Sequence, residues 1–232
     1  MKPEQLVETL HKIYADDLIS VVLYGSAAHD ASQDHYSDFN VMIVLRQTSL
    51  AALAPAASLL QKWMKRGNPV PLVIHQVHLL TSCDVFPIEF LDMKERHRVL
   101  FGTDLLAGLE IKKDHLRLQC ENEIKAKLIA LRSYYLRVYP DKKKLKEFLL
   151  RSSSAFFAIF RGLLRLQGSA VPPLRPDILA QLQKSTGIEF TVFQKILEVR
   201  DGKRKLVKDE VITMLEEYLT TLEKVASFTD SL

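Results

Sequence analysis

The stretch from Val21 to Leu45, VVLYGSAAHDASQDHYSDFNVMIVL, constrains this chain more than any other. Two short runs rich in β-branched residues, Leu18 to Tyr24 and Phe39 to Leu45, flank a long polar excursion, which is the pattern of two strands and not of a helix. The first run stops at Gly25-Ser26 and the second is entered through Ser37-Asp38. Side chains alternate along a strand, so Asp38 and Asn40 leave one face at the mouth of the second strand while Phe39 and Val41 leave the other. Glycine at 25 permits the tight exit that Cβ-bearing residues resist, and Ser26 offers a hydroxyl and a backbone N–H to whatever lies in that mouth.

Strand, Gly25-Ser26 turn, a spacer of eleven residues and then Asp38-Phe39-Asn40 together resemble the signature of the nucleotidyltransferase superfamily, the DNA polymerase β-like group. The resemblance implies that Gly25 and Ser26 hold the polyphosphate of a nucleoside triphosphate, ATP or another. It implies too that the alternate residues Asp38 and Asn40 hold Mg²⁺ for transfer of a nucleoside monophosphate to an acceptor hydroxyl. The superfamily has a second acid where this chain has Asn40. Paired metal ions sit about 3.5–4 Å apart and call for carboxylates that neutralise them. An amide oxygen ligates a hard cation but brings no charge. The alternative to an active transferase is therefore a catalytically decayed domain that binds a nucleotide or a partner as a regulatory module.

The remaining elements follow in order. Pro3 to Tyr14 reads as an amphipathic helix with Leu6, Leu10 and Ile13 on one face. Within Ala27 to Tyr36, His29 and His35 are candidates to reach a bound phosphate. Ser49 to Arg66 reads as a helix with Ser49 as its cap and Pro55 either starting or kinking it. Pro71 to Leu80 reads as a third strand, which would put His75 and His78 on opposite faces and so argue against a shared metal. The superfamily carries a third carboxylate on the strand after the helix, where this chain offers only Gln76 and His78. A fourth apolar run, Val85 to Met93, reads as an edge strand or bulge because of Pro87. Its Glu89, between Ile88 and Phe90, is the first candidate for the missing acid, with Asp92 second.

From Asp114 onward the periodicity is helical: His115 to Val138, Asp141 to Leu166, Asp177 to Ser185, Thr191 to Val199 and Asp209 to Thr229. Residues 1–110 hold nine Lys and Arg against thirteen Asp and Glu, whereas residues 111–232 hold twenty-three against fifteen, so the basic excess lies in the helical half. The Lys142-Lys143-Lys144 and Lys203-Arg204-Lys205 clusters read as solvated helix surface. Glu121 and Glu123 are candidates for a general base by analogy with antibiotic-adenylating relatives. Cys83 and Cys120 are far apart with no Cys-x-x-Cys partner, which fits reduced thiols.

These readings give an α+β chain. A nucleotidyltransferase-type mixed sheet with flanking helices covers residues 1–110, and an all-α antiparallel bundle covers residues 111–232. The plan resembles kanamycin-type aminoglycoside nucleotidyltransferases and minimal nucleotidyltransferases. No apolar run approaches the length of a membrane span and the N-terminus lacks a secretory pattern, so a cytoplasmic location is expected. Expected partners are a nucleoside triphosphate and a hydroxyl acceptor that the sequence does not identify. Nucleic acid is the less favoured acceptor, and a homodimer is compatible with the reading.

Overall fold

The computed structural model describes residues 1–28 and 38–232, so His29 and His35 lie outside the described residues. The chain divides into two compact units, Met1–Lys112 and Lys113–Leu232.

In the first unit, α1 (Pro3–Tyr14) leads into β1 (Leu18–Tyr24), and β2 (Asn40–Leu45) returns antiparallel to it. The expected helix from Ser49 breaks at Pro55 into α2 (Leu50–Leu53), a tight turn at Ala54–Ala56 and α3 (Ala57–Met64). Ser49 caps α2, its hydroxyl accepting from the Ala52 N–H at 3.2 Å. Four strands line up in the order β3-β2-β1-β4, mixed because β2 and β3 (Leu72–His75) are parallel while β4 (His97–Gly102) runs antiparallel to β1.

Both faces of this sheet are covered. Val21, Leu23, Val41 and Ile43 pack with Leu6 and Leu10 of α1 and with Leu59 and Trp63 of α3. On the opposite face Val22, Met42 and Val44 pack with Leu79, Phe90, Met93, Leu106 and Leu109. Two-sided burial is the reason β1 and β2 read as unbroken apolar runs and show no alternation. Each fully buried Val, Leu or Ile contributes about 1.5–3 kcal/mol, which fixes the two central strands and therefore the end of the sheet where they meet the Gly25 turn.

Three sequence expectations are corrected. The third strand ends at His75, and Gln76 to Thr81 form α4. His75 caps that helix, its Nδ1 accepting from the Val77 N–H at 3.1 Å. His75 and His78 are thus one helical turn apart with ring centroids 5.3 Å from each other, and not on opposite faces of a strand. The run Val85 to Met93 is no edge strand either: Pro87 to Glu95 form α5, with Pro87 in the first turn, where a missing N–H has no helical partner to lose. The fourth strand is β4, which lies just after the apolar run. Gly102 closes it at φ +76°, where a Cβ would come 1.9 Å from the Ile19 carbonyl oxygen, so only glycine lets β4 lie this close to β1.

The second unit comprises α6 (Lys113–Val138), α7 (Lys142–Leu166), α8 (Arg175–Thr186), α9 (Thr191–Arg200) and α10 (Glu210–Asp230). Its centre is aromatic. Phe156, Phe160, Phe193 and Tyr218 are all buried, with Phe193 5.0 Å from Phe160 and 5.1 Å from Tyr218 between ring centroids. The Ser152-Ser153-Ser154 patch marks a close helix contact, as its small residues imply: Ser152 Oγ and Tyr218 Oη are 3.2 Å apart, and burial raises the Tyr218 phenol above its ordinary value.

Candidate active site at one end of the sheet

Strand register brings the signature residues to one end of the sheet. Tyr24, the last residue of β1, pairs with Asn40 on one side and with His97 on the other. Residues paired directly across a sheet share a face, so Asn40, Tyr24 and His97 form a row about 10 Å long, at about 4.8 Å per strand. Gly25 follows Tyr24 at φ +81°, a backbone conformation that favours glycine, and its N–H donates to the Arg96 carbonyl at 2.9 Å. That bond ties the turn to the start of β4. A Cβ on Gly25 would stand 3.5 Å from the Asn40 side-chain nitrogen, so the turn and Asn40 are neighbours. Ser26 opens the tight turn Ser26–Ala28 and is exposed. Asp38 is exposed as well, two residues before the start of the register at Asn40.

The segment entering β2 is held from beneath by Asn68, which lies just past the end of α3. Asn68 accepts from the Phe39 N–H at 3.0 Å and donates to the Trp63 carbonyl at 3.3 Å. Trp63 donates in turn to the Pro69 carbonyl at 3.0 Å, and its ring lies 6.2 Å from that of Phe39. Phe39 points into the core as alternation requires, which leaves its neighbours Asp38 and Asn40 to the other side. An asparagine after Gly67 carries no signal of this role; only the fold brings it beneath Phe39.

His97 was also missed, because β4 itself was missed. Its Nε2 lies 3.1 Å from each carboxylate oxygen of Asp104, and its Nδ1 lies 3.0 Å from the Lys94 carbonyl. Both partners accept hydrogen bonds, so the ring fixes the start of β4 beside the Gly25 turn. Asp104 also accepts from the Ala107 N–H at 3.0 Å. Partial burial raises its carboxyl, but the Ala107 amide, the His97 bond and charge and the Leu106 amide outweigh this and leave it below its ordinary value.

Gly25, Ser26 and Asn40 therefore meet at one end of the sheet, with Asp38 at its threshold, while Glu89 lies on a helix and not on a strand. Glu89 is exposed in the first turn of α5, about 9 Å along the helix axis from Glu95, at about 1.5 Å per residue. Gln76 and His78 lie in α4 and not on a strand. Among the described residues no group of three or more His, Cys, Asp and Glu is arranged to hold a metal ion. His75 and His78 do not form a pair of ligands as they stand, since the His75 Nδ1 that accepts from Val77 leaves its proton on Nε2. In the second unit Glu121 is bonded to Arg117 at 2.8 Å and Lys125 at 2.7 Å, and Glu123 to Lys127.

The sheet, its flanking helices and the helical C-terminal unit make an α+β fold. The chain is similar to the solved structure of spectinomycin adenyltransferase AAD(9) from Enterococcus faecialis with ATP and spectinomycin. That likeness has a TM-score of 0.56 and 13% sequence identity, and it covers 94% of this chain and 97% of that one. No protein-family model and no curated protein matches the sequence. Among the described residues no helix is long and apolar enough to cross a membrane.

Proposed function

We propose that this chain transfers a nucleoside monophosphate from a nucleoside triphosphate to the hydroxyl of a small acceptor. The observation that supports this reading is the pairing of Tyr24 with Asn40, which puts the Gly25-Ser26 turn and the Asp38-Phe39-Asn40 segment at the same end of the sheet. The similar adenyltransferase was solved with ATP and spectinomycin, which makes ATP the first nucleotide to try and a hydroxyl-bearing small molecule the first acceptor.

In this reading the Ser26 hydroxyl and the N–H groups of its turn bind the polyphosphate, and Asp38 with the Asn40 amide oxygen holds Mg²⁺. One carboxylate and one amide suit a single Mg²⁺ that completes its shell with phosphate oxygens and water; they do not suit a bridged pair of ions. Bound there, Mg²⁺ would neutralise phosphate charge and polarise the phosphoryl group. Asp38 and Ser26 would orient the polyphosphate, and that positioning supplies much of the rate in such transfers. Glu89 stays a proposed accessory acid, on α5.

A second reading has a specific basis: Asn40 stands where an acid is expected, and β3 carries no acid. The domain would then bind a nucleotide without transferring it. Calorimetry with a non-hydrolysable ATP analogue separates the possibilities. Binding that needs Mg²⁺ and falls at least tenfold in Asp38→Ala supports a metal-assisted site, whereas equal affinity in chelator removes the metal from the proposal. With Asn40→Asp, loss of transfer activity marks an enzyme adapted to the amide. A gain of Mg²⁺ affinity in a chain inactive from the start marks decay.

A further inference from the structure

We propose that the helical unit holds a phosphate dianion between Arg175 and Arg200, on one face of α7. Ser154, Phe157 and Arg161 follow one another at steps of three and four residues in that helix and so share a face. Arg175, at the start of α8, lies over the Phe157 ring with its guanidinium carbon 5.0 Å from the ring centre. Arg200, at the end of α9, donates to the Ser154 hydroxyl. Cβ atoms three residues apart on a helix are about 5–6 Å from each other, so Arg175 and Arg200 contact neighbouring positions of α7, and Arg200 is near enough for its charge to act on Arg175.

Some basic groups of the unit are instead paired with acids. Lys142, Lys144 and Arg204 each face an acid, at Asp209, Asp141 and Glu210 respectively. Arg175, exposed overall, is held below its ordinary value first by partial burial of its head group and then by the positive charges of Arg200 and Arg161. Asp201 opposes this on Arg175, and Lys203 contacts the Asp201 carboxylate at 3.3 Å. An anion between the two guanidiniums relieves the repulsion. The planar fork of arginine matches two oxygens of a phosphate, and stacking on Phe157 sets the plane of Arg175 in advance. Two facing guanidiniums call for a doubly charged group. No residue of the first unit takes part, so the site stands whether or not the nucleotidyltransferase reading does.

The test uses the full chain, titrated calorimetrically with inorganic phosphate, pyrophosphate and ATP at constant ionic strength. Saturable phosphate and pyrophosphate binding is expected, weakened at least tenfold in the Arg175→Gln/Arg200→Gln double variant with an unchanged circular dichroism spectrum. Arg175→Lys/Arg200→Lys keeps the charge and loses the fork, and should fall between; it also serves if the glutamine pair does not fold. ATP weakened together with pyrophosphate identifies a nucleotide's polyphosphate as the ligand, while unchanged ATP binding identifies free phosphate. Pyrophosphate binding that survives the double variant but disappears in Asp38→Ala overturns the proposal, as does the absence of saturable binding at millimolar phosphate.

Discussion

Asn68 shows how much a single amide does at this site. It is buried, and it links the Phe39 N–H to the Trp63 carbonyl, so one side chain couples the start of β2 to the end of α3. Asn68→Ala leaves the Phe39 N–H without its acceptor, and the expected loss is about 1–3 kcal/mol, the penalty for an unsatisfied buried donor. Urea unfolding measures it. Asn68→Asp keeps the acceptor but sets a buried carboxylate oxygen against the Trp63 carbonyl, and should cost at least as much as the alanine change. Because Phe39 lies between Asp38 and Asn40, nucleotide binding should weaken in Asn68→Ala even where the chain is fully folded. Unchanged affinity would separate Asn68 from the site. At Gly25 the expectation rests on the backbone alone: a Cβ there meets Asn40 at an ordinary 3.5 Å, so Gly25→Ala should cost about the 1–2 kcal/mol of a left-handed conformation.

At the scale of elements, β1 carries an unusual feature in its middle. Ser20 is fully buried and its hydroxyl has no hydrogen-bond partner among the described residues. A buried hydroxyl left unsatisfied costs about 1–3 kcal/mol, so Ser20→Ala should raise stability by about 1 kcal/mol after the small void is counted. A lower urea midpoint in that variant would mean the hydroxyl has a partner in solution. The strand itself was legible because Leu18 to Tyr24 is apolar but for Ser20, carries β-branched residues and stops at a glycine. β3 and α5 were harder for one shared reason: short apolar runs fit a strand or a buried helix equally well, and only partners decide between them. In Pro71 to Leu80 the decision falls at His75, whose ring caps α4, a role seldom given to histidine. In Val85 to Met93 it falls at Pro87, which starts a helix as readily as it interrupts a strand. β4 was hidden by His97 and Arg98 at its start, whose polar side chains are tolerable because β4 is an edge strand. His97 and Asn68 were therefore beyond reach, while Gly25, Ser26, Asp38 and Asn40 were not, since their spacing survives without knowledge of the sheet.

The whole molecule should lose stability toward acid, and both units contribute. In the first, Asp104 lies below its ordinary value for the reasons given above. In the second, the Lys144 amide and ammonium, with the Lys143 amide, lower Asp141, which caps α7. Glu121 is lowered by Lys125 and Arg117, and Asp209 by Lys142. Each carboxyl binds its proton less readily in the folded chain than in the unfolded one, whose values are 3.8 for aspartate and 4.5 for glutamate. Between the two values the unfolded state carries more protons, so stability rises with pH there. The contribution is complete above the unfolded value and is lost as pH falls through the folded one. Urea midpoints should therefore be flat from pH 7 to about pH 5 and decline below it. Salt separates the causes: Glu121 and Asp209 act through exposed ion pairs that about 1 M salt screens, whereas Asp141 acts mainly through backbone donors. Asp141→Asn keeps a capping oxygen without a titrating group. It should keep most of the stability at pH 7 and show a shallower decline in acid. A decline as steep as that of the parent chain would remove the α7 cap from the list of causes.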